Sequence, residues 1–102
     1  MIEVENNATC MDLWKIITAN GYRAQKEKAI EEICELGTEL ARDIQGEGVR
    51  ERITEEMADV YVVMAELLLI YGNQSEVREV AEAKIRRTLE RMGEEKDLIR
   101  QR

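Results

Sequence analysis

Apolar residues recur at three- and four-residue steps along four stretches of this chain, with glycine- or asparagine-bearing breaks between them. That period predicts helices. The first spans about 9–20, with Met11, Leu13, Trp14 and Ile17 on its apolar side. Thr9 or Asn7 can cap its start, and Gly21 is placed to close it in the left-handed conformation. The second spans about 22–45, with a stripe of Ile30, Ile33, Cys34, Gly37, Ala41 and Ile44, and Gly46-Glu47-Gly48 stops it. The third spans about 49–71. Its first half is polar, but from Met57 to Ile70 only Asp59 and Glu66 carry charge. A helix apolar nearly all round is buried on more than one side. Val62 and Leu69 lie on a different side from Val60, Met64 and Leu67, so one side is expected to face the helix's own bundle and another a partner subunit. The fourth spans about 74–92. Asn73 with Glu76 resembles a capping box, Val77, Val80, Ala81, Lys84, Ile85, Thr88, Leu89 and Met92 give an inner stripe, and Gly93 is expected to close it.

The predicted fold is therefore all-α: a four-helix bundle-like protomer, one domain over 1–102, assembling as a homo-oligomer. Residues 1–8 read as a loose lead-in and 94–102 as a frayed charged tail. No proline occurs anywhere to interrupt the helices.

Composition narrows the chemistry. The net charge of −7 argues against a nucleic-acid partner, which needs basic surface. It leaves room for a nucleotide substrate if a metal supplies local positive charge. The chain has no histidine, which excludes a Ser-His-Asp triad, a Cys-His pair and any histidine-ligated zinc. Cys10 and Cys34 lack CxxC spacing and read as small core residues in a reducing compartment. The acidic start, Met1-Ile2-Glu3-Val4-Glu5, does not resemble a signal peptide, and no apolar run is long enough to span a bilayer. The expectation is a cytoplasmic protein with no membrane partner.

The informative acids are Glu31-Glu32-x-x-Glu35 on the second helix and Glu56-x-x-Asp59 on the third. Residues three apart share a helix face, so each helix offers a carboxylate pair. The short turn predicts antiparallel packing, with residues whose numbers sum to about 94 at one height. Glu35 is then level with Asp59. Clustered carboxylates repel unless neutralised, and a hard divalent cation is the usual agent. A helical wheel centres the apolar stripe of the second helix near Ile33 and Gly37, which puts Glu32, Glu35 and Glu39 on roughly the opposite side, the solvated face. A site then requires that acidic face to line a cleft against the third helix or a second subunit.

Together, Ala24-Gln25, Ala29-Ile30-Glu31-Glu32-x-x-Glu35-Leu36, Glu56-x-Ala58-Asp59-Val60 and Lys84-Ile85-x-Arg87 resemble the all-α NTP pyrophosphatase superfamily, the MazG-like group related to dimeric dUTPases. The resemblance covers about 22–92. It implies hydrolysis of a nucleoside triphosphate to the monophosphate and pyrophosphate, Mg²⁺ as cofactor with Mn²⁺ as a possible substitute, and a homodimer or tetramer. By the same resemblance Glu32, Glu35, Glu56 and Asp59 are metal ligands. Glu31 is a further ligand or, with Glu32, part of the catalytic apparatus that orients or deprotonates the attacking water. Lys84 and Arg87 would hold phosphate oxygens. Gln25 matches a base- or sugar-binding position, and Trp14, Tyr22 and Tyr61 are candidates to contact the base or, alternatively, to pack in the core. The competing expectation is a non-catalytic acidic helical homo-oligomeric interaction module. An acidic mimic of nucleic acid is a third.

Overall fold

The computed structural model describes residues 8–100. The fold is all-α with four helices and, among the described residues, no strand: α1 (Ala8–Asn20), α2 (Tyr22–Ile44), α3 (Arg50–Tyr71) and α4 (Gln74–Arg100). The chain divides into two compact units, one holding α1 to α3 and ending at Gly72, the other beginning at Asn73 and holding α4.

The helix breaks fall at the glycines. Gly46 takes φ +81° in the turn after α2. Two residues on, Gly48 passes so close to the end of α2 that a side chain there would set its Cβ 2.8 Å from the Asp43 Cα. The tight reversal this permits packs α3 back along α2, the most extensive helix pairing among the described residues. α1 lies against both. Gly21 differs from expectation: at φ 90°, ψ 156° it is extended on the positive side rather than left-handed helical, and its N–H still closes α1 on the Ile17 carbonyl at 2.8 Å.

The core of the first unit is small. Its buried apolar side chains are Leu13 and Ile17 from α1, Ala29 from α2, and Val63, Ala65 and Leu68 from α3. Ile17 is completely enclosed, so truncating it to alanine should cost about 2–5 kcal/mol.

α2 departs furthest from expectation. Its apolar stripe does not face the core: Ile30 is 65% exposed, Ile33 52% and Ile44 88%. The inward side carries Gln25, Ala29 and Glu32 instead. Cys34 is exposed rather than a core residue, and Cys10 is half-buried. Tyr22 and Tyr61 are also exposed, so neither packs in the core.

α4 also outruns its predicted end. It continues through Gly93 to Arg100. An interior glycine costs only about 1 kcal/mol relative to alanine, and the Glu94-Glu95-Lys96 run after it consists of good helix formers. Of the charged tail expected over 94–102, residues through 100 are thus helical. The expected lead-in, 1–8, lies outside the described residues except for Ala8, which begins α1. No helix among the described residues is long and apolar enough to cross a membrane.

Candidate metal centre

The antiparallel pairing of α2 and α3 brings the two acidic motifs together. Glu32 and Glu35 from α2, with Glu56 and Asp59 from α3, each place a carboxylate oxygen within 4.8 Å of the others. The i, i+3 spacing within each motif sets the pair on one face. The inward turn of the polar side of α2 then aims that face at α3. Glu31 is exposed and stands outside the group of four.

The environment of these acids is uneven. Glu32 is 5% exposed, Glu56 is half-buried, and Glu35 and Asp59 are open to solvent. Lys28 Nζ pairs with Glu32 Oε1 at 3.1 Å, one turn back along α2. Glu32 Oε2 and Glu56 Oε2 are buried and, among the described residues, accept no hydrogen bond. A buried carboxylate oxygen without a donor is costly. Crowding has a second consequence. The charge of Glu32, followed by partial burial, the charges of Glu56 and Glu31, and a hydrogen bond with Glu56, holds the Glu35 carboxyl above the ordinary glutamate range. In turn the hydrogen bond and charge of Glu32, aided by Glu31, hold the Lys28 ammonium above its ordinary range.

These features fit a hard divalent cation. All four donors are oxygens, as Mg²⁺ and Mn²⁺ prefer. Two oxygens facing each other across Mg²⁺ sit about 4.2 Å apart, so the set needs to close only slightly to share an ion. The two orphaned oxygens both belong to carboxylates of this group.

Beside the acids lies a pocket of about 310 Å³ that shares Glu32 and Asp59 with them. Gln25 lines it, so the structure sets this predicted residue next to the carboxylates. Trp14 does not line it. It borders a separate depression along α1 with Met11 and Thr18. Lys84 and Arg87 are exposed on α4, in the second unit.

Glu66, which motif and spacing do not single out, joins this site from α3. It is 3% exposed, lines the same pocket, and its Oε2 accepts a hydrogen bond from Gln25 Nε2. Gln25 Oε1 accepts in turn from Asn20 Nδ2 at 3.0 Å. The signal was present: Glu66 is a lone charge in the apolar half of α3, and such a residue is seldom buried without a reason. In comparison with known proteins, no family model, no curated protein and no solved structure matches the chain.

Proposed function

We propose that this chain is a Mg²⁺-dependent nucleoside triphosphate pyrophosphohydrolase, converting a (d)NTP to the monophosphate and pyrophosphate. One observation carries the reading: four carboxylates from two antiparallel helices converge within 4.8 Å, and two of their oxygens are buried without a hydrogen-bond donor. The motif resemblance supplies the reaction.

In this reading Glu32, Glu35, Glu56 and Asp59 hold the metal, with Mn²⁺ as a substitute. When bound, the ion neutralises triphosphate charge and makes a nearby water more acidic. The residues do the rest. Glu31, exposed and next to the cluster in sequence, or Glu32, accepts the proton of the attacking water, since without histidine a glutamate is the available base. Lys84 and Arg87, three apart on α4, share a face and would bind the oxygens of the departing pyrophosphate, in their own subunit or in a neighbouring one. Gln25 contacts the sugar or base, and Trp14 is the aromatic candidate for the same task.

The outward apolar stripe of α2 favours one component of the rival reading, self-association, and a hydrolase built as a homodimer or tetramer accommodates it. A non-catalytic module predicts no response to metal and nucleotide. The hydrolase predicts a higher melting temperature with Mg²⁺ plus a non-hydrolysable dNTP, because a ligand bound only by the folded state stabilises it, by about 2.7 kcal/mol at a hundredfold excess over Kd. An unchanged melting curve overturns the proposal.

A further inference from the structure

The pocket beside the acids has a polarity that the metal centre does not explain. Glu66 brings a carboxylate to a site that is 97% shielded, given its 3% exposure. The one lysine lining the pocket, Lys28, is engaged with Glu32 at 3.1 Å. Glu66 is held by a neutral amide, Gln25 Nε2. A buried carboxylate has about four acceptor positions and gains from every donor that reaches it.

The orientation of Gln25 follows from Glu66. Glu66 Oε2 accepts from the Gln25 Nε2, which leaves the Gln25 Oε1 to accept from Asn20 Nδ2. Asn20, at the end of α1, thereby fixes an amide on α2 that fixes a carboxylate on α3. The chain of bonds makes this end of the pocket rigid and rich in acceptors. Ile16, Val62 and Val63 add apolar lining. Apolar walls with a few placed polar groups are the ordinary make-up of a small-molecule site, and about 310 Å³ lies at the lower end of the usual size range.

We infer that Glu66, buttressed by Gln25 and Asn20, selects a nucleobase carrying an exocyclic amino group, because the Glu66 carboxylate accepts from that N–H and repels a carbonyl oxygen at the same place. The inference rests on the nucleotide reading of the adjoining carboxylates and adds the class of base. Cytosine and uracil test it cleanly, since they differ at the amino-versus-oxo position. A site that hydrogen-bonds a substrate N–H discriminates strongly against the analogue without it.

The experiment is calorimetric binding of the α,β-imido analogues of dCTP and dUTP to the full chain with Mg²⁺, alongside pyrophosphate release from dCTP itself. The dCTP analogue should bind at least about tenfold more tightly, and Glu66→Gln, which keeps size and can still accept from Gln25, should bring the ratio to within about threefold. The wild-type ratio stands without any variant, should Glu66→Gln fold poorly. Equal affinities, or a preference for the dUTP analogue, overturn this inference and leave the hydrolase reading intact. A tenfold preference without pyrophosphate release supports the inference and overturns the hydrolase reading. Binding of neither analogue, nor of the α,β-imido analogues of dATP and dGTP, overturns both.

Discussion

Lys28 Nζ lies 3.1 Å from one oxygen of Glu32, while the other oxygen of that carboxylate is buried and accepts no hydrogen bond among the described residues. The ammonium thus partly offsets the charge of the most buried acid of the four and competes with a cation for it. Lys28→Met should therefore lower the melting temperature without metal yet enlarge the rise that Mg²⁺ produces. The sign for pH follows from the upward shift of Lys28. Its contribution is fully present below the ordinary lysine range and is lost as pH climbs through the raised value. Differential scanning fluorimetry of both forms, with and without Mg²⁺, checks this. A smaller metal-induced rise in the variant would contradict it.

Glu35 is also shifted upward, so its pH dependence has the same sign, but its ionised form is repelled where that of Lys28 is attracted. Its carboxyl is held above the ordinary value chiefly by the charge of Glu32. An acid raised in the folded state favours folding when protonated, so that contribution is complete below the unfolded value and disappears as pH rises through the folded one. At neutral pH the ionised group is a liability in the metal-free protein. Glu35→Gln should then melt higher than wild type at pH 7, the gap should close in acid below the unfolded glutamate value, and turnover should be lost. Asp59→Asn should likewise abolish turnover with the fold intact. Near-normal turnover in either variant, with a verified substrate, refutes the ligand assignment.

The breaks after α1, α2 and α3 were legible in the sequence because glycine acts locally, and the level of Glu35 with Asp59 was legible because a short turn fixes the register. The inward face of α2 was not. Periodicity locates an apolar stripe but does not say what covers it, and Ile30 and Ile33 point away from the core while Glu32 points in. Glu66 was hidden for a related reason. A single charge in an apolar run is visible, but its bond to Gln25, 41 residues earlier, depends on how α2 and α3 are packed. The passage of α4 through Gly93 shows a weak local signal overridden by the helix formers around it.

The exposed stripe leads to a prediction of its own. Ile30, Ile33 and Ile44 on α2, with Met57 on α3, put apolar side chains in water, and large apolar surface left in water, where contiguous, is normally an interface. The chain should sediment as a homodimer or tetramer at micromolar concentration. Ile30→Glu with Ile33→Glu should dissociate it. A stable wild-type monomer would show that the stripe serves something other than self-association.

In the proposed reaction Lys84 and Arg87 would bind the leaving pyrophosphate, where negative charge grows as the bond breaks. Lys84→Ala and Arg87→Ala should raise KM and lower kcat for a dNTP, roughly tenfold or more in kcat/KM, while Mg²⁺ affinity without nucleotide barely changes. A large loss of Mg²⁺ affinity would instead tie them to the metal centre.

The bond that is cut tests the central claim most directly. Phosphorus NMR of a dNTP incubated with the protein and Mg²⁺ should show pyrophosphate and the nucleoside monophosphate appearing together, with no signal growth when Mg²⁺ is removed by chelation. Orthophosphate with a nucleoside diphosphate would mean cleavage at the γ-phosphate and would contradict the account, as would an unchanged triphosphate spectrum across the common dNTPs.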